Sequence, residues 1–402
     1  MLNRLLRQHR AKWMIILLFL MPVLGDKFIL PDPNQENRNL AAKPVRPHSW
    51  ESLLKYPGQF ELWANDHVGL RDELIGLNNR IRYRLFHQFP TAQVLQGKNG
   101  RILLASHSNQ MGNFSAIQDV CGYQFHDLPA LVKQLNLFGS TMRQQQLDAN
   151  LLIAPTAPVI YPEDIPDWLA IRCQGKSVPM EMALKDPELV DGKKLFYPRT
   201  ELLAAKAKYS IFPKTWFHWA GSGPRIAADL SMQRFWQSDL QSSPVLKTSM
   251  SIEASDIARL FPGLRLNSDV ETVNFSASGI KACHGAICYP QLPGIAEKLW
   301  GIHRYRNAQA KLPRLVMITD SFGPGLGPWY ARYYQDVIQI ATNDFNRLSP
   351  TEMRHLKQFL FHSSGAQHLL FVYHDATIQS GQRLEADFGM IFNVGRLAKP
   401  TQ

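Results

Sequence analysis

Two places in the chain hold residue types that could carry out acyl chemistry. The first is Thr319-Asp320-Ser321-Phe322, which closes the apolar run Leu315-Val316-Met317-Ile318 and opens the small-residue turn Gly323-Pro324-Gly325. A short apolar run ending at a turn reads as a buried strand. A hydroxyl at the carboxyl end of such a strand stands where open α/β sheets place their ligands. Ser321 is therefore a candidate nucleophile, with turn N–H groups close enough to hold an oxyanion. The competing reading is a helix cap, because Asp and Ser side chains both accept from backbone N–H groups. The second place is His218, within Trp216-Phe217-His218-Trp219, the expected proton acceptor for that serine. Its ordinary alternative is a packed core histidine. His374-Asp375, closing the run His368-Leu369-Leu370-Phe371-Val372-Tyr373, offers a rival base.

Other chemistries find less support. There is no G-x-G-x-x-G fingerprint and no phosphate-binding P-loop, so no nucleotide cofactor is expected. Cys283-His284-Gly285-Ala286-Ile287-Cys288 has a C-x4-C spacing that could hold zinc with His284. It lacks a matching second pair, and no metal site is expected.

The elements that must position these residues follow an α/β rhythm. A helical pattern runs over residues 128 to 147 through Leu131, Leu135, Phe138 and Met142, and the buried-strand run Leu151-Leu152-Ile153-Ala154 follows. Val337-Ile338-Gln339-Ile340-Ala341 and residues 368–373 read as further strands, with a helix over 350–362 between them. Helices are also expected over 200–208 and 224–238, with a short one over 253–261. Val94-Leu95-Gln96 and Ile102-Leu103-Leu104 flank an Asn99-Gly100 turn, the mark of a hairpin. Leu70, Leu74, Leu77, Ile81 and Leu85 share one helix face, with Arg71, Arg80, Arg82 and Arg84 mostly on the others. The expected fold is α/β with a mostly parallel sheet.

The 402 residues carry a formal net charge of +11, which favours anionic partners. No dense basic run interleaved with aromatics occurs in the body, and nucleic acid is not an expected partner. Arg4, Arg7, Arg10 and Lys12 precede the uncharged run Trp13–Gly25, the layout of an export signal. Residues 1–30 are read as a signal peptide or a membrane anchor, either of which sends the body out of the cytoplasm. Residues 31–59, with prolines at 31, 33, 44 and 47, read as a linker, and 60–402 as one domain. The four cysteines fit disulfides in an exported chain. Cys283 with Cys288 and Cys121 with Cys173 is the preferred pairing of the three that are formally allowed.

Several ordered stretches resemble the SGNH-hydrolase-like family of alginate O-acetyltransferases, the AlgJ/AlgX group. They are Glu36-Asn37-Arg38-Asn39-Leu40-Ala41, Asn65-Asp66-His67-Val68-Gly69-Leu70-Arg71-Asp72-Glu73-Leu74-Ile75 continued by Asn78-Asn79-Arg80 and Tyr83-Arg84-Leu85-Phe86, Gly97-Lys98-Asn99-Gly100, Ile160-Tyr161-Pro162-Glu163, His218-Trp219 and Thr319-Asp320-Ser321-Phe322. The resemblance implies a three-layer α/β/α domain in the periplasm. It implies Ser321 as nucleophile and His218 as base in moving acetyl through an acetyl-serine to hydroxyls of an anionic exopolysaccharide. A membrane-bound acyltransferase would supply the acetyl group, and the N-terminus would meet the inner membrane.

One departure matters. The family's triad acid stands two residues before the histidine, where this chain has Trp216. Disabling the acid of a serine triad costs about 10⁴ in kcat. Asp191, Asp229 and Asp375 are the substitutes to consider, and Asp320 is expected to support the turn. A second departure is Ala157-Pro158, where relatives often carry a lysine. The alternative function is therefore a catalytically weakened polysaccharide-binding or scaffold subunit of the same export machinery.

Overall fold

The computed structural model describes residues 41–67, 71–107, 114–238, 243–361, 367–381 and 383–392. The basic and apolar N-terminal segment expected to be a signal or anchor lies outside the described residues. So do residues 31–40 of the expected linker and Val68–Leu70 of one family-like stretch.

The strands in chain order are β1 (Val94–Gln96), β2 (Ile102–Leu104), β3 (Ala149–Ala154), β4 (Leu195–Phe196), β5 (Thr248–Ala254), β6 (Asn267–Val273), β7 (Lys281–His284), β8 (Ile302–Arg306), β9 (Leu312–Thr319), β10 (Tyr334–Ala341) and β11 (His368–His374). The helices used below are α1 (Trp50–His67), α2 (Arg71–Phe86), α3 (Ser115–Val120), α4 (Leu128–Gln144), α5 (Ser222–Trp236), α6 (Pro350–Phe361), α7 (Asp375–Gln379) and α8 (Arg383–Phe392).

The apolar runs seen in the sequence pair with one another. β3, β9, β10 and β11 are buried on both faces, as continuous apolar strands must be. They form the centre of a seven-stranded sheet of order β4-β3-β11-β9-β10-β8-β7. The first five strands are parallel, whereas β8 and β7 add antiparallel pairs, so the sheet is mixed. Neither β7 nor β8 stands out in the sequence, because Ile-His-Arg-Tyr-Arg lacks an apolar run.

Alternation along each strand sends side chains to two cores. On one face Ile153, Val316, Ile318, Ile340 and Phe371 meet α4, α6 and α8. On the other Leu152, Leu315, Met317, Val337 and Val372 meet α3 and α5. This gives three layers, α/β/α. Helix α4 starts where Asp127 accepts from Ala130 N (2.9 Å), with proline in its first turn. The expected hairpin forms as β1 and β2, with Asn99 and Gly100 both at positive φ. Both preferred disulfides form, Cys121–Cys173 and Cys283–Cys288, so no thiol is left for zinc.

The chain divides into two compact units. The one just described is Thr91–Glu253 with Asn267–Gln402. The other comprises the described residues up to Pro90 with Ala254–Leu266. In that second unit α1 begins at Trp50, inside the stretch expected to be linker, and runs through Pro57. Helix α2 forms as expected, but Leu74, Leu77, Ile81 and Leu85 are exposed. Gly76 and Asn79 are buried instead. Asn79 Nδ2 donates to Pro262 O (2.9 Å), and a Cβ on Gly76 would stand 3.3 Å from Gly263 Cα. Close backbone approach, rather than the leucine stripe, holds this helix. The expected short helix over 253–261 is a 3-10 turn, Asp256–Arg259.

Candidate active site

β9 carries Ser321 to the carboxyl edge of the sheet, beside the end of β11. The last register pair between them is Thr319 with Val372, and Asp320 N continues it by donating to Val372 O (2.9 Å). The turn itself is built by Asp320. Its carboxylate accepts from Phe322 N (2.8 Å) and from His374 N (2.7 Å). The capping work therefore belongs to Asp320, whereas Ser321 Oγ has no hydrogen-bond partner among the described residues. Gly323 completes the turn, because a Cβ there would overlap the Thr319 side chain.

The loop that carries His218 is tied down from the other side. Arg101 Nε donates to Asp164 Oδ2 (2.5 Å), its Nη1 to Phe212 O (3.1 Å), and its guanidinium lies 3.5 Å from the Tyr161 ring centroid. Asn99 Nδ2 donates to Asp164 Oδ1 (2.8 Å), and Ile211 N to Tyr161 Oη (3.1 Å). Ile102 N donates to Lys214 O (2.8 Å). The family-like stretches at 97–100 and 160–163 thus form a brace under residues 211–214.

From that brace His218 and Trp219 reach the serine turn. Trp219 Nε1 donates to Phe322 O (2.7 Å). The His218 ring packs edge-on against the Phe322 ring, with centroids 4.9 Å apart. The His374 ring lies 4.5 Å from the same phenyl centroid. Its Nε2 stands 3.8 Å from Asp320 Oδ2 and 2.7 Å from Thr377 Oγ1. Ser321, His218, His374 and Asp320 are thereby gathered around Phe322.

Burial governs the electrostatics. Asp320, 4 % exposed, has its carboxyl pushed up to about 7 by desolvation, which the N–H groups of His374 and Phe322 and the charge of His218 oppose. His374 is held well below the ordinary imidazole value by burial, with the nearby His107 and His218 adding to the effect. It is neutral at pH 7.

The acid substitutes are engaged elsewhere. Asp191 pairs with Arg143, and Asp229 with Arg332 and Tyr333. Asp375 accepts from Tyr197 Oη (2.8 Å), Thr156 N (3.2 Å) and Ala376 N (2.8 Å), and burial raises its carboxyl to about 6. Trp216 offers only an indole N–H, buried and without a hydrogen-bond partner among the described residues. A further pair carries no mark in the sequence. His107 Nε2 lies 3.2 Å from Asp119 Oδ2, both largely buried, and His107 is close enough to act on His374. They stand twelve positions apart with no motif between them, and only the packing of α3 on α7 brings that pair towards His374. Among the described residues no group of three or more His, Cys, Asp or Glu side chains is placed to hold a metal.

No family model and no curated protein sequence matches the chain. Solved structures of similar fold include a DHHW family protein from Eubacterium siraeum, at 15% identity, covering 74% of this chain and 98% of that one, with a TM-score of 0.43. AlgX from Pseudomonas aeruginosa is 10% identical over 79% of this chain and 69% of its own, with a TM-score of 0.42. The O-acetyltransferase domain of Pseudomonas putida AlgJ is 12% identical over 75% and 99%, with a TM-score of 0.39. Similarities this low concern the path of the chain, and the reading of the site rests on its own geometry.

Proposed function

We infer that the protein is a serine-dependent acyltransferase that moves acetyl to hydroxyls of an exported anionic polysaccharide. The observation that carries this is the docking of the His218-Trp219 loop on the Ser321 turn through Trp219 Nε1 and Phe322 O. It sets the His218 ring against the ring of Phe322, the residue after Ser321, at the sheet edge where α/β folds bind ligands. In the reaction His218 takes the Ser321 proton as Oγ attacks the acyl carbonyl. The backbone N–H of Ser321 is the donor to the resulting oxyanion in this reading, because those of Phe322 and Gly323 are bonded to Asp320. The tetrahedral intermediate collapses to acyl-Ser321 as His218 returns the proton to the leaving group. A sugar hydroxyl, deprotonated by His218, then attacks the acyl-serine, and Ser321 regains its proton. The net charge of +11 suits an acidic polymer, and the basic and apolar N-terminal sequence suits export to the periplasm, with or without a retained anchor. A membrane-bound acyltransferase is the proposed acetyl donor.

Trp216 favours a second reading, a polysaccharide-binding scaffold subunit with little or no turnover, since no carboxylate stands where the triad acid belongs. Release of acetate from a chromogenic acetyl ester separates the two. Turnover by the wild type that Ser321→Ala abolishes supports the transferase. Equal background rates in both support the scaffold.

A further inference from the structure

Beyond the serine turn, the sheet ends in an antiparallel pair. Its last register places His284 of β7 opposite His303 of β8. Gly285 N donates to Ile302 O (2.9 Å), which marks the next pair as the hydrogen-bonded kind. Antiparallel alternation makes His284 and His303 a non-hydrogen-bonded pair, the kind whose side chains approach closest. The two Nδ1 atoms stand 2.7 Å apart, with ring centroids at 4.9 Å and planes at 74°. Both backbones are held. The Cys283–Cys288 disulfide closes the turn after β7, and Tyr289 Oη donates to His303 O (2.5 Å). His284 is exposed, and the Tyr305 ring flanks the pair at 6.0 Å from His284 and 6.4 Å from His303.

We propose that His284 and His303 form a two-imidazole site for a divalent first-row transition metal, with Cu²⁺ bound ahead of Zn²⁺. Imidazole nitrogen is a good ligand for both, and Cu²⁺ leads the affinity series. The two Nδ1 atoms share a hydrogen bond, one donating to the other, and a metal ion that takes both nitrogens would displace that proton to solvent. A metal about 2.0 Å from each nitrogen in a cis arrangement sets them about 2.8–3.3 Å apart, slightly wider than the separation present. Neighbouring cations do not oppose it. Strand alternation sends Lys281, Arg304 and Arg306 to the opposite face from His284, His303 and Tyr305. The cysteines beside His284 are consumed by their disulfide, so the protein contributes imidazole alone and water completes the coordination.

The full chain titrated with Cu²⁺, followed by calorimetry and electron paramagnetic resonance, tests this. Expected are one equivalent bound with a two-nitrogen signature, and a loss of at least about tenfold in affinity in both His284→Ala and His303→Ala. Zn²⁺ should compete less well than Cu²⁺. His284 is exposed, so its variant should keep the fold by circular dichroism even if the His303 variant does not. Unchanged binding in folded His284→Ala, or no uptake by the wild type, overturns the site. Displacement of Cu²⁺ by an equal concentration of Zn²⁺ overturns the order of preference.

Discussion

Two pairs of histidines lie near one edge of the sheet, and their surroundings differ. His218 and His374 both pack on Phe322, and His374 is buried, neutral and already bonded to Thr377. His284 and His303 face one another across an edge ladder, with His284 open to solvent. Ile340 pairs with Ile302 and Ala341 with Thr319, so both places belong to the same rim of the sheet. Residue type is the same throughout. Solvent access and the bonds already made separate the buried His374 ring from the exposed His284 ring.

The hardest test of that division is at the serine. Ser321→Ala should bring acetyl-ester hydrolysis to the buffer rate, where loss of the nucleophile from a complete triad costs about 10⁶ in kcat. Next comes the choice of base. His218→Asn should lower kcat by about 10²–10⁴, while His374→Asn should change it by less than that. A larger fall for His374 would move the proton transfer to the other side of Phe322. Trp216→Asp should raise kcat by about tenfold or more in a folded variant, since the missing acid is worth up to about 10⁴. No gain would mean that the site orients His218 by other means.

A smaller effect concerns pH. The Asp320 carboxyl rises from 3.8 to about 7 on folding. A raised folded value gives a stability contribution that is full below about 4 and lost as pH rises through about 7. Asp375, raised to about 6, acts in the same direction. His374, lowered by burial, acts in the opposite one, adding stability as pH rises towards 6.5. Urea unfolding of wild type and Asp320→Asn should therefore show a stability difference, wild type minus variant, that falls between about pH 4 and 7. A difference that rises would contradict the buried carboxyl. Smallest of all, His284→Ala should leave ester hydrolysis unchanged, and a clear loss of activity would join the two histidine pairs functionally.

The parallel half of the sheet was legible in the sequence because its strands are buried on both faces and announce themselves as apolar runs. Ser321 and His374 could be placed at strand ends on that ground. β7 and β8 were not legible, since an edge pair with one wet face spells Lys-Ala-Cys-His and Ile-His-Arg-Tyr-Arg. Helix α1 was hidden by prolines and by apolar residues that remain exposed. The leucine stripe of α2 predicted the helix but not its buried side, which Gly76 and Asn79 supply. His107 and Asp119 could not be found from spacing, because only packing brings them towards His374.

The bond from Trp219 Nε1 to Phe322 O joins two parts of the chain 103 residues apart. It uses neither the serine hydroxyl nor the histidine ring. Alignment of the two loops is thus mechanically independent of the chemistry of the Ser321 and His218 side chains. Under the proposed roles, exchange of the residue at 216 would alter the strength of the base without disturbing where Ser321 and His218 stand. If the proposed function holds, substitution at that single position would move the scaffold between turnover and mere retention of a sugar chain.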